Sequence, residues 1–463
     1  MSAKWQEQTY LCLTNDSGIL TCGCYGVPKP PCQHRSDDCT SNSFIFPQHK
    51  SYAIVSQPCK CGSMKAALAK INERHIVIGT LALGLILRIL AGLVLPDQSE
   101  LLRDPITYRE SAAQLLAHWR IDIPYEMPLY PLLIAVFGHW QMAADIVLSV
   151  ITIWLVYLLA RELFTDRWTP ILATVAAACY PALIFFSVIG LSETLFTTMM
   201  LTAFLFWYRD RFTAASFFAV LAILTRPIFD IAPLLLVYFA LVVHRLPPGQ
   251  IARHIAVYAA IYCVLLAPWW LHNYKSYGRF THLTASFGWA LYGGNNPMNK
   301  SGGGMLGVDY SLDEFAGISN MLDRDDAMRK AAIAYIEAHP KNFIELAPLK
   351  FMRIWRAWPI NKDYQSLRNI VISAVSYIPM ILLSALGLFF ARHKLRRLSP
   401  ILLFGIGYTA IHMVLVGTIR YRVPLEPFLL IFAASTVSRL FGNVVSVREN
   451  SPVSNVLKFA AKT

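Results

Sequence analysis

Two carboxylates at the edges of long apolar blocks are where chemistry would start in this chain. Asp104 opens the stretch RDPITYRESAAQLL, directly before Pro105 and one turn ahead of Tyr108. Asp followed by Pro is a helix-start signature, in which the side chain caps free N–H groups. The same carboxylate is suited to take a proton from an acceptor hydroxyl at a membrane surface. Glu193, in GLSETLF, lies in a tight turn between two apolar blocks. A charge so close to hydrocarbon is costly unless it faces a cavity or a partner, while an acid at a helix start is also favoured by the helix dipole. In the topology read below both fall on one side of the membrane. That permits a paired-carboxylate site or a divalent-metal site held by Asp104 and Glu193.

Arginines form the second group. Arg226 precedes Pro227 at the end of one apolar block, and Arg420 and Arg422 flank Tyr421 in GTIRYRVPLEP at another. A lipid phosphate at headgroup depth would account for them, since guanidinium groups bind phosphate oxygens bidentately; snorkelling to the interface is the alternative. Arg88, inside the first apolar block, either snorkels or serves a buried pocket. Asn295 and Asn296 in GGNNP, with Asn273 and Tyr274 after another block, offer polar groups for sugar hydroxyls, and turn chemistry explains the Gly-Gly-Asn-Asn-Pro run equally well. No P-loop, dinucleotide fingerprint, HExxH or GxSxG motif occurs, so nucleotide-cofactor and serine-nucleophile chemistry have no support.

The elements that must position these groups are membrane helices. The chain is 56% hydrophobic and 15% charged, against about a quarter charged in soluble domains, and its apolar residues come in blocks of bilayer-spanning length. The blocks predict about ten transmembrane helices, near 76–95, 141–160, 169–187, 191–208, 213–226, 228–244, 253–271, 368–390, 399–417 and 423–440. With the N-terminus inside, the short connections 161–168, 209–212, 245–252 and 391–398 and the tail from 441 are cytoplasmic. Each carries Lys or Arg, as the positive-inside rule requires. Two outer loops, 96–128 and 272–367, are then long enough to hold binding or catalysis. The expected fold is an all-α polytopic membrane protein with juxtamembrane helices and a large outer loop.

The net charge of +13 is spread over these short loops rather than along one basic face, which argues against nucleic acid. Seven of the nine cysteines fall in the first 61 residues, as two C-x-C pairs and three singles; that is not the spacing of a zinc site. Residues 1–63 read as a disordered extension ahead of a natural start at Met64, or as a segment outside the mature functional unit, with a small metal-binding or redox module as the alternative. The membrane domain then runs over 64–440, with a cytoplasmic tail at 441–463.

The ordered series RDPITYRESAAQLL, PLYPLLIAVFG, LSETLF, LTRP, APWWLHNYKSYGRF, ASFGWALYGGNNP, YIEAHPKNF and IRYRVPLEPFLL resembles the GT-C glycosyltransferases. Within them it is similar to bacterial members of family 39, related to the dolichyl-phosphate-mannose–protein mannosyltransferases. The resemblance implies Asp104 as the base and Glu193 as support for the site or a metal. It also implies Arg226, Arg420 and Arg422 as ligands of the donor phosphate. The donor would be a polyprenyl-phosphate sugar and the acceptor a lipid, polysaccharide or protein hydroxyl, with inversion at an extracytoplasmic site of the cell membrane. The chain departs from the family at His272, where an Arg is usual, and at Arg103 and Pro105, where a second acid commonly adjoins the Asp. A polyprenyl-lipid or glycolipid transporter and a non-catalytic lipid-binding protein are the other classes weighed. No pair of matching hydrophobic halves supports the former.

Overall fold

The computed structural model describes the backbone of residues 10–14, 20–23, 42–44, 52–55, 72–95, 103–360 and 364–449, and the side chains of 72–95, 103–360 and 364–440. The chain divides into Met1–His75 and Ile76–Thr463. In the first unit, within the segment read as a disordered extension, four short strands form an antiparallel sheet of order β2-β1-β4-β3. They are β1 (Tyr10–Thr14), β2 (Leu20–Gly23), β3 (Asn42–Phe44) and β4 (Tyr52–Val55). The remainder of 1–63, its cysteine side chains and the tail beyond 449 lie outside the described residues.

The second unit is helical. In chain order its elements begin with α1 (Glu73–Val94), α2 (Arg103–His118), α3 (Leu129–Phe137), α4 (Gln141–Leu163), α5 (Trp168–Cys179) and α6 (Pro181–Phe186). Next come α7 (Glu193–Tyr208), α8 (Phe212–Ile223), α9 (Ala232–Tyr238), α10 (Pro248–Tyr277) and α11 (Phe287–Gly294). The series ends with α12 (Met321–Ala338), α13 (Pro340–Trp355), α14 (Leu367–Phe390), α15 (Leu395–Val414) and α16 (Glu426–Glu449). Among the described residues seven helical stretches are long and apolar enough to cross a membrane, the longest of them joining α3 and α4. The other three expected crossings are shorter. Pro181 splits 169–187 into α5 and α6, α7 has 16 residues, and α8 stops at Ile223 ahead of the Arg226-Pro227 pair.

The helices sort their faces by solvent in the membrane sense. On α1 the buried residues are Val77, Thr80, Gly84 and Arg88, one stripe at helical spacing, while Ile78, Leu85, Ile86, Ile89 and Leu90 stay exposed. α7 is buried nearly all round and forms the centre of the bundle, where Phe204 meets Trp207, Phe239, Phe404 and Phe428. Close approach and hydroxyl bonds join α14 to α16. A side chain at Gly387 would strike Phe432 O at 2.1 Å, and Ser384 Oγ donates to Leu429 O at 2.6 Å. Both are devices of helix packing in lipid, where burial of apolar surface gives no drive.

The short basic connections meet at one end of the bundle: Arg209 and Arg397 both pair with Glu162, at 2.7 and 3.5 Å. Glu193 opens α7 and Arg209 follows its last residue, so they sit roughly 24 Å apart at the rise of an α-helix. Asp104, Glu193, Arg226 and Arg420 therefore gather at the opposite end.

Candidate functional site

Each side chain of the cluster is delivered by a local feature of the sequence. Asp104 lies in the first turn of α2, where Thr107 Oγ1 donates to the Asp104 carbonyl at 3.0 Å. Glu193 opens α7 after a turn whose Gly190 has φ +72°, the left-handed region that glycine takes without strain. Arg226 precedes Pro227, which holds it extended at φ −147°, ψ 123° and turns its side chain out of the helix path. Arg420 sits in a 3-10 segment, Ile419–Leu425.

That segment is fixed from behind by the large loop. Asn295 Nδ2 and Lys350 Nζ donate to Val414 O at 2.9 and 3.2 Å, Arg353 Nε to Gly417 O at 3.1 Å, and Gly417 N to Gly302 O at 3.1 Å. Asn295 and Asn296 are thus bound into the framework. The Asn295 Oδ1 accepts from Lys350 at 2.9 Å, and Asn296 Nδ2 donates to Tyr292 O and Asp309 O at 2.8 and 3.0 Å. Asn273 is also buried and holds Thr281 O and Leu283 O, whereas Tyr274 is exposed. None of these three asparagines faces open space as a sugar-binding amide would; they fasten loops.

At the centre, Arg420 bridges the two carboxylates. Its Nε donates to Glu193 Oε1, its Nη2 to Glu193 Oε2 at 3.3 Å, and its Nη1 to Asp104 Oδ2. Arg226 Nη1 reaches the same Glu193 Oε1 at 2.7 Å. Glu193 has no exposed side-chain surface, Arg420 has 22%, and Asp104 has 48%. Charge is balanced inside, and the free flank of the cluster is the Asp104–Arg420 edge. Tyr108 OH bonds Ser192 Oγ at 3.0 Å beside it, and burial raises the Tyr108 phenol so that it stays protonated. Tyr421 stacks on His412 at 3.9 Å and lies 5.7 Å from Arg226, a cation–π contact that props the second arginine.

Two of the expected arginines stand elsewhere. Arg422 is two residues after Arg420, and at three residues per turn the two side chains diverge. Its Nε bonds Glu426 at 2.8 Å, its charge lies 3.6 Å over Tyr377, and Nη1 reaches the carbonyls of Ile354 and Arg356. It is 2% exposed and committed to that buried pair, which corrects its reading as a phosphate ligand. Arg88 does not snorkel. It is fully buried, with Nε on Ser149 Oγ at 2.7 Å and its Nη atoms on the carbonyls of Gly84, Ala178 and Ala177 at 3.0, 3.1 and 3.4 Å. Pro181 supplies no N–H for the Ala177 carbonyl, so Arg88 satisfies backbone groups orphaned at the α5–α6 break.

A divalent cation does not fit this arrangement. The Arg420 guanidinium occupies the space between Asp104 and Glu193, and no group of three or more His, Cys, Asp or Glu gathers among the described residues.

The membrane unit shares its architecture with solved membrane enzymes. An Archaeoglobus fulgidus oligosaccharyltransferase tethered to an acceptor peptide superposes with TM-score 0.50 at 14% identity, over 82% of this chain and 51% of that one. Archaeal oligosaccharyltransferase AglB from the same organism, in complex with an inhibitory peptide and a dolichol-phosphate, gives 0.48 at 12% identity over 82% and 52%. ArnT from Cupriavidus metallidurans bound to undecaprenyl phosphate gives 0.36 at 16% over 78% of each chain. The likeness is one of fold, a helical polytopic membrane architecture. This chain spans about half the length of the oligosaccharyltransferases it matches. No family model and no curated protein matches it.

Two further acids were not singled out from the sequence. Asp145, 1% exposed inside α4, accepts from Tyr130 OH at 2.8 Å, and the Tyr130 ring meets Tyr108 edge-on at 4.9 Å. An acid inside an apolar block is itself the signal, since such residues are rare in membranes. Glu126 accepts from Ser111 Oγ at 3.0 Å. Burial pushes its carboxyl up to about 7, and Asp104 and Glu110 add to the rise against hydrogen bonds from Thr107 and Ser111.

Proposed function

We propose that this chain is a membrane glycosyltransferase that moves a sugar from a polyprenyl-phosphate donor to an acceptor hydroxyl with inversion, in the manner of the family-39 enzymes. The observation that carries this reading is the Arg420 bridge between half-exposed Asp104 and buried Glu193, with Arg226 behind. It puts a carboxylate open to solvent directly beside a guanidinium, at the end of the bundle away from the basic connections. The shared fold supports the same class of reaction.

In the reaction Asp104 takes the proton of the acceptor hydroxyl, whose oxygen attacks the anomeric carbon from the face opposite the phosphate. The bond between that carbon and the phosphate oxygen breaks, and its electron pair leaves with the phosphate. Arg420, with Arg226 behind it, stabilises the charge that develops there, an electrostatic contribution of the oxyanion-hole type. A single displacement inverts the centre. Glu193 is the counter-charge that holds both arginines in place in a dry setting. The basic connections at the other end support an extracytoplasmic position for the cluster by the positive-inside rule, on the side of the cell membrane where lipid-linked sugars are the activated donors. The acceptor belongs to the lipid, polysaccharide or protein hydroxyls accessible there.

Purified protein in lipid, given radiolabelled polyprenyl-phosphate sugars, tests the reading. Sugar release or transfer in the wild type, lowered about 10²–10⁴-fold in Asp104→Asn, is the expected result. Equal rates in the two proteins would remove Asp104 from the reaction. Binding of the donor without turnover would favour a transporter or lipid-binding role.

A further inference from the structure

Asp104, Thr107, Tyr108 and Ser111 fall at spacings that put them on one face of α2. Glu126 comes to the far end of that face from the connection between α2 and α3. There Ser111 Oγ donates to its Oε2 at 3.0 Å, while the Thr107 hydroxyl, one turn back along the same face, donates to the Asp104 carbonyl. The connection is held in place from several sides. Ile121 N donates to His272 Nε2 at 2.9 Å, Tyr277 OH to Ile121 O at 3.0 Å, and Ala285 N to Pro124 O at 2.8 Å. Tyr125 meets the Trp289 ring edge-on at 5.0 Å. Glu126 is therefore a carboxyl fixed against the helix that carries Asp104, with hydroxyls between the two.

The charges that act on Glu126 are Asp104 and Glu110, both on α2, with the Tyr108 phenol beside them. Among the described residues no cation pairs with Glu126. Asp104 differs, because its Oδ2 accepts a charge-assisted bond from Arg420. A proton left on Asp104 weakens that bond, whereas Glu126 has no such partner to lose.

We propose that Glu126 is the second station of the reaction's proton. Asp104 removes it from the acceptor hydroxyl, the hydroxyls on the shared α2 face pass it on, and the Glu126 carboxylate receives it and releases it to water. One O–H bond breaks at the acceptor and one forms at Glu126, and Asp104 returns to its charged state bonded to Arg420. The inference rests on the glycosyl-transfer reading above. It makes Glu126 a positioning and relay residue that touches the substrate only through Asp104. The acid limb of the reaction then belongs to Glu126, which must be deprotonated to receive the proton, so the rate rises as the pH climbs through about 7.

The test measures sugar release to water, the surrogate acceptor, from radiolabelled undecaprenyl-phosphate mannose and glucose in proteoliposomes, between about pH 5 and 9. Wild type, Glu126→Gln and Glu126→Asp are compared. Glu126→Gln keeps the size of the side chain and its bond from Ser111; it is expected to lose the acid limb and about 10–100-fold of the rate at the plateau, with KM for the donor unchanged. Glu126→Asp is expected to restore a limb, displaced in pH. A Glu126→Gln protein that keeps the wild-type limb overturns the relay. So does an equal loss in both variants at every pH with a wild-type profile shape, because a purely structural role would give that. No release by the wild type from either donor would instead count against the glycosyl-transfer reading and take the relay with it.

Discussion

Arg420 holds both carboxylate oxygens of Glu193, a residue 227 positions earlier in the chain, and reaches past it to Asp104 with its remaining nitrogen. One guanidinium thus ties the start of α7, the start of α2 and the 3-10 segment before α16 into one unit. The two acids it joins differ in setting. Glu193 is sealed between two arginines, and Asp104 is half open.

That difference separates stability from activity. Glu193→Gln leaves Arg226 without its counter-charge and Arg420 with Asp104 alone, around a position with no exposed surface, which is expected to cost about 3–5 kcal/mol. Asp104→Asn keeps a hydrogen-bond acceptor at a half-exposed position and is expected to cost under about 1 kcal/mol while removing the proton acceptor. Thermal unfolding in detergent, measured beside sugar release, checks both. Asp104→Asn should unfold with the wild type and turn over poorly, and Glu193→Gln should do worse on both counts. Equal stability of the two variants would contradict the burial contrast.

Arg422 and Arg420 lie two residues apart yet should respond in opposite ways. Arg422→Met strands the fully buried Glu426 and is expected to lose about 3–5 kcal/mol, while Arg422→Met with Glu426→Met should recover most of it, since apolar replacement of a whole buried pair is often neutral. Arg420→Lys keeps the charge but loses the fork that spans two carboxylates. It should fold and lose activity. The double-mutant unfolding cycle and the rate of Arg420→Lys distinguish the two roles.

Lys350, on α13, is fully buried, with Asn295 Oδ1 and Val414 O accepting from its ammonium and the Phe343 ring 5.9 Å away. Burial pulls its ammonium down to about 8, from 10.5. Between those values the unfolded chain binds the proton and the folded chain does not, so stability rises with pH across that window. The full swing is on the order of 3 kcal/mol. Unfolding midpoints from about pH 7.5 to 10 should climb in the wild type relative to Lys350→Met. Parallel curves would show that the buried amine carries no such penalty.

Much of this architecture is written in the length of the apolar runs, because a bilayer demands about twenty such residues and few other settings do. Asp104, Glu193, Arg226 and Arg420 stand out for a related reason: charges beside hydrocarbon need partners, and here they partner one another. Asp145 escapes notice because the apolar block around it outweighs one acid. The separation of Arg422 from Arg420 depends on a 3-10 turn that hydropathy does not register. Asn295 and Asn296 read alike as sugar ligands or turn residues until the carbonyls they bind are seen, and the break at Pro181 hides inside a run that remains apolar on both sides.

Arg88 and Pro181 should be coupled across that break. The proline leaves the Ala177 carbonyl without its helical donor, and Arg88 reaches it at 3.4 Å and its neighbour Ala178 at 3.1 Å. Arg88→Met removes those bonds along with the one to Ser149 and is expected to cost about 2–4 kcal/mol, within the range for stranding buried acceptors. Pro181→Ala restores an N–H at the position that can bond Ala177, so α5 and α6 can join and the carbonyls no longer need the arginine. In that background Arg88→Met should cost about 1 kcal/mol less, since contacting groups in one network are non-additive. Unfolding in detergent of the wild type, both single variants and the double variant gives the coupling directly. Strict additivity would mean that Arg88 is held for its bond to Ser149, independent of the helix break.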